Sequence, residues 1–156
     1  MARLETVNKI IVHCSDSDFG DARQIDAWHR EKGLDGNGYH YVVLNGMRAN
    51  ARPYEAGDDA LVETGRALDV AGAHARGYNF ESIGICLIGK YHFTSRQILS
   101  ALPKLLLDLL RKYHLQVNAI VGHGELNAKK TCPNIDMALV RDMVRARVAV
   151  NILKGA

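Results

Sequence analysis

KIIVHC, residues 9–14, is a short β-branched apolar run that ends on a histidine and a cysteine. It is too short for a stable helix and reads as a buried strand. The period changes in DARQIDAWHREKG, residues 21–33. Asp21 and Gln24 have the spacing of an N-cap and its third helical partner, and Ile25, Trp28 and His29 share one helical face. Gly33 then ends the segment. A buried strand followed by an amphipathic helix is the repeating unit of a layered α/β architecture.

The same alternation continues. YHYVVL (39–44) and IGICLIG (83–89) read as strands, and NAIVGH (118–123) as a fourth. Residues 45–69 are rich in glycine and charge and lack a period, so a loop or short helix is expected there. Thr94 and Gln97 form a second capping box, opening a helix to about Tyr113. Ile98, Leu102, Leu105, Leu106 and Leu109 make its core-facing stripe, and Pro103 is expected to kink or restart it. Asp136 caps a basic amphipathic helix over 136–152. The expected fold is α/β (α+β), a central, mostly mixed β-sheet flanked by about three helices.

The chain of 156 residues suits one domain, 1–156, with a real core. Its formal charge of +3 is mild; it is compatible with a polyanionic partner such as nucleic acid or cell wall but carries little weight, and no nucleic acid is expected. Three cysteines, an odd number, argue against a disulfide framework. MARLETVNK lacks the apolar run of a signal peptide, and LPKLLLDLL is too short to span a bilayer. Synthesis in the cytoplasm is expected, with any action outside depending on a separate route of release. A monomer is expected.

The chemistry concentrates in GHGELNAKKTCPNID, residues 122–136. Cys86 lies in an apolar run and reads as core, whereas Cys132 lies in a polar, lysine-bearing segment. His13 ends the first strand and His123 the last, so two imidazoles and a thiolate can converge on one ion. Zinc takes such N and S ligands, and three of them leave a fourth position open, the catalytic arrangement. Each signal has a bland counterpart: a satisfied strand histidine, an inert loop cysteine. Strand alternation sends Cys14 away from His13, as a buried thiol, and His40 to the face opposite Tyr39. His29 and His114 read as structural or exposed, and Trp28 as core packing.

IIVHCS, QIDAWHREKG, GYHYVV, GAHARGYNFESIGICLIG, FTSRQ and GHGELNAKKTCPNID occur in that order. Together they resemble the zinc-dependent N-acetylmuramoyl-L-alanine amidases related to T7 lysozyme and the peptidoglycan recognition proteins. The resemblance runs from about Ile10 to Asp136. It implies that His13, His123 and Cys132 hold Zn2+, and that Tyr39 places a hydroxyl beside the water that the metal activates. It also implies that Lys130 faces the developing oxyanion, with Lys129 adjacent to it, and that His74 and Asn79 line the substrate groove. Residues 47–62 look like an insertion.

The implied reaction is hydrolysis of the amide between the muramic acid lactyl group and L-alanine of bacterial peptidoglycan, as in a phage or prophage endolysin. The alternatives are a non-catalytic peptidoglycan-binding module, a cytosolic muropeptide-recycling amidase and a polymerase-regulating second role. The basic face of the last helix, with Arg141, Arg145 and Arg147, is a candidate for weak contact with anionic envelope surfaces.

Overall fold

The fold is described from a computed structural model covering residues 1–155. In chain order it contains β1 (Lys9–Cys14), α1 (Ala22–Glu31), β2 (Tyr41–Asn45), β3 (Asp59–Thr64), β4 (Ser82–Leu87), α2 (Leu102–Tyr113), β5 (Ile120–Gly122), α3 (His123–Leu126) and α4 (Met137–Leu153). The strands form one sheet in the order β3-β2-β4-β1-β5. Every pairing is parallel except β2 with β3. The carboxyl ends of β1, β2, β4 and β5 therefore open on one edge of the sheet, where α/β proteins place their ligands.

Both faces of the sheet are covered. Ile10, Val12, Val43, Ile83, Ile85 and Leu87 pack under α2 and α4, while Val42, Leu44, Cys86 and Ile88 pack under α1 through Ile25 and Trp28. Trp28 thus belongs to the packing, with the Phe19 ring 5.8 Å away. Asp21 caps α1 by accepting from the Gln24 N–H at 2.8 Å, as its spacing predicts. Pro103 costs α2 little. A π-helical turn, Gln97–Ala101, runs directly into α2, so the missing Pro103 N–H falls where the hydrogen-bond ladder changes from the π to the α pattern.

The expectation for residues 45–69 is corrected. Asp59–Thr64 forms an edge strand antiparallel to β2, making five strands where four were expected. Leu61 and Val62 are both exposed, so β3 has no buried face and no alternating pattern to read. Arg48, within the apparent insertion, bonds Asp58 at 2.7 Å, Glu63 at 2.7 Å and Asp21 at 3.2 Å. Glu63 in turn accepts from the Ala22 N–H at the start of α1. The insertion is thereby tied to the first helix.

The Thr94–Gln97 box forms in both directions, at 2.9 and 3.1 Å. Gln97 is fully buried, and its amide also donates to the carbonyls of Val43 and Ile88, joining α2's approach to β2 and to the end of β4. Gln97→Ala would strand those buried groups, so unfolding free energy in urea should fall by about 2–4 kcal/mol. A loss under half a kilocalorie would remove Gln97 from this bracing role.

Candidate metal and catalytic site

The site grows from the register of β1 and β5. Val12 pairs with Gly122, so the next residues, His13 and His123, leave neighbouring strands side by side with ring centroids 4.6 Å apart. His123 opens the one-turn α3, held by the Gly122 N–H to Glu125 bond at 2.8 Å. Arg141 of α4 reaches across to Glu125 at 2.9 Å and to the Ile120 carbonyl at 3.0 Å, bracing that turn. The following loop folds back, with the Gly124 N–H donating to the Cys132 carbonyl at 2.7 Å.

This fold-back brings Cys132 over the end of β1. Nitrogen and sulfur atoms of His13, His123 and Cys132 lie within 4.8 Å of one another, and His13 Nδ1 is 3.9 Å from Cys132 Sγ. Tetrahedral zinc with one nitrogen and one sulfur at ordinary bond lengths separates them by about 3.6 Å. The donor set and spacing therefore fit a metal ion, and three donors leave a position open. Burial, then the nearby His74, His123 and His29, holds His13 well below the usual imidazole range. Burial, then the Lys130 cation, lowers His123. Both rings are thus neutral near pH 7, the form that ligates.

His74 stands behind His13, its Nδ1 3.0 Å from His13 Nε2. Its ring occupies space that only glycine leaves open: a Cβ on Gly72 or Gly84 would come within 2.3 or 2.5 Å of it. Its Nε2 is buried without a partner. Burial first, and His40 next, depress His74 to about 3. Asn79 accepts from the backbone N–H groups of His74 and Ala75, both at 2.9 Å, and so fixes the loop that carries His74.

An open cleft of about 440 Å³ lies over the sulfur and both rings. Its walls include Tyr39, Lys129, Lys130, Lys32 and Lys90, while His74 and Asn79 lie outside them. The Tyr39 ring sits 5.0 Å from that of His13. Burial and then the Cys86 sulfur push its phenol well above the ordinary value, so it stays protonated. His29 braces this corner by accepting the Gly38 N–H at 2.8 Å.

One sequence expectation needs correction. His40 does not turn to the face opposite Tyr39. It precedes β2, where alternation does not apply, and its ring accepts the Gly84 N–H at 3.0 Å and meets the Val70 carbonyl. Cys14 is a buried thiol, as expected, and its backbone N–H lies 3.2 Å from Cys132 Sγ. Interaction between the two thiols brings the ionisation of Cys14 down to about 7 and drives that of Cys132 up, so the pair yields one proton readily and the second with difficulty. Alternation on β1 carried no signal of this contact, because the second sulfur arrives from a loop 118 residues away.

Known proteins place this geometry. Residues 3–135 match the family model described as N-acetylmuramoyl-L-alanine amidase. The endolysin of Escherichia phage T7 is 37% identical over 144 residues, covering 85% of this chain and 84% of that one. Among solved structures, the N-acetylmuramoyl-L-alanine amidase LysC from Clostridium intestinale superposes with a TM-score of 0.73 at 22% identity, over 90% of this chain and 86% of that one. The ectodomain complex of peptidoglycan recognition proteins LCa and LCx bound to tracheal cytotoxin gives 0.65 at 28% identity, over 85% and 80%. A family model spanning most of the sequence, joined to a relative this similar along most of both chains, shows that the chain belongs to the N-acetylmuramoyl-L-alanine amidase family.

Proposed function

We propose that this chain is a zinc-dependent amidase of the endolysin kind, cleaving the lactyl–L-alanine amide of peptidoglycan with His13, His123 and Cys132 as metal ligands. The observation that carries the reading is the meeting of those three side chains at the carboxyl edge of the sheet, in a chain of the amidase family. A zinc ion held there supplies a Lewis acid for the amide carbonyl and lowers the pKa of water towards neutrality.

The protein's own groups do the rest. Lys130 lines the cleft near enough to His123 to depress it, and its ammonium stabilises negative charge as the carbonyl becomes tetrahedral. Tyr39, kept protonated, donates a hydrogen bond to orient the attacking water or pass on its proton. The C–N bond then breaks and the released L-alanine amine takes up a proton. His74 serves as a positioning residue: by accepting from His13 Nε2–H, it leaves the Nδ1 lone pair facing Cys132, free to ligate a metal that would bind there.

Envelope contact through α4 gains little support. Arg141 is spent on Glu125, Arg145 pairs with Asp142 and Arg147 donates to the Leu99 carbonyl. No helix among the described residues is long and apolar enough to cross a membrane.

Metal analysis paired with release of amino termini from purified sacculi tests the reading. His123→Ala and Cys132→Ala should each lose zinc and activity together; retained zinc in either would remove that ligand. Tyr39→Phe and Lys130→Ala should keep the metal while turnover falls about 10²–10³-fold. An equal fall in Lys129→Ala, with Lys130→Ala unaffected, would transfer the role to the neighbouring lysine. Zinc-loaded wild type that binds sacculi without releasing amino termini would make the chain a binding module. Activity confined to small soluble muropeptides would make it a recycling enzyme. For His74, replacement by leucine should weaken zinc about 10–100-fold in chelator competition. Asparagine, whose carbonyl can accept from His13, should restore most of that affinity. Equal losses in both variants would reduce His74 to packing.

A further inference from the structure

The proposed site uses one sulfur, and the structure supplies two. Cys132 and Cys14 both line the cleft, Cys132 partly exposed and Cys14, at the end of β1, only 7% exposed. Cys14's N–H lies 3.2 Å from the Cys132 sulfur. Asn134 Nδ2 stands 3.7 Å from Cys14 Sγ and donates to the Lys90 carbonyl at 2.8 Å, closing the far side of the pair. Cys86, the third thiol, is fully buried under α1.

From this arrangement we infer that Cys14 and Cys132 form an oxidisable dithiol, in which Cys14 resolves any disulfide made at Cys132 and the resulting bond withdraws the sulfur from the metal site. The oxidant is a low-molecular-weight disulfide such as oxidised glutathione. Cys132 sulfur attacks one glutathione sulfur, forming a mixed disulfide and expelling the other glutathione as a thiolate. Cys14 sulfur then attacks Cys132 sulfur and expels the second. The protein loses two electrons and its two thiol protons; the glutathione disulfide gains both pairs and leaves as two thiols. Order of attack follows from access, since a reagent in the cleft meets Cys132 first and cannot reach Cys86.

The consequence for activity rests on the metal reading above, but formation of the bond does not. A sulfur committed to Cys14 cannot also be a thiolate ligand, so oxidised protein should neither hold zinc nor hydrolyse peptidoglycan until reduced. Bound metal should conversely shield Cys132. The pair thus makes metal loading and thiol oxidation mutually exclusive.

The test treats full-length protein with oxidised glutathione, either stripped of metal by a chelator or loaded with zinc, followed by tryptic cleavage without reductant. Stripped protein should yield residues 10–23 joined to residues 131–141. Zinc-loaded protein should yield far less of that species, and Cys86 should stay free. The oxidised sample should reject added zinc and recover binding after dithiothreitol. Cys14→Ser should instead retain glutathione on Cys132. Wild type that also retains glutathione there, or yields no joined peptide, would overturn the dithiol. A joined peptide in protein that still binds zinc would overturn the exclusion. Cys132→Ala that keeps its zinc would place that failure in the metal assignment rather than in the dithiol.

Discussion

The backbone register between β1 and β5 is the constraint on which the site depends. Parallel pairing of Val12 with Gly122 puts His13 and His123 on adjacent strand ends, facing the same edge. No side chain needs to search for its partner, because ladder hydrogen bonds have already set the spacing. β5 is only three residues long, so the bracing from outside matters: Glu125 holds the Gly122 N–H, and Arg141 holds Glu125 and the Ile120 carbonyl. The last helix therefore acts on the site through the turn that carries His123.

A second constraint follows from burying imidazoles. His13 is 1% exposed, and a ring so buried must have both nitrogens engaged to avoid a desolvation cost of about 1–3 kcal/mol. One nitrogen faces His74 and the other the Cys132 sulfur. Glycines at 72 and 84 are the sequence-level trace of this, because they admit the His74 ring beside the sheet. What the sequence shows as a glycine-flanked histidine in GAHARG is, in three dimensions, the backing of the first imidazole.

Legibility divided along the same physical lines. β1, α1, β4, the Thr94–Gln97 box and the Asp136-capped helix could be read because burial or capping imposes a local pattern on neighbouring residues. β3 could not, since an edge strand with both faces wet imposes none. The convergence of His13, His123 and Cys132 was readable from strand ends and from a polar context around the cysteine. The Cys14 contact was not: alternation assigned that side chain to the other face correctly enough, yet the 131–134 loop arches over the strand end, where faces lose their meaning. His40 fails for a related reason, lying one residue ahead of the ladder.

The choice of sulfur at position 132 can be argued from charge. Lys32, Lys90, Lys129 and Lys130 surround the cleft, and Asp16, paired with Lys90 at 2.7 Å, is the acid on its wall. Such a rim disfavours a bound dication, and two neutral imidazoles do nothing to offset it. A thiolate there would bring a full negative charge to a bound metal, with the Cys14 N–H 3.2 Å from the sulfur and no exposed carboxylate needed. It would thereby let the lysine proposed to face the oxyanion stand close by. The same charge and polarisability make the sulfur oxidisable, and with Cys14 in contact that liability has a defined chemical end point rather than an open-ended one.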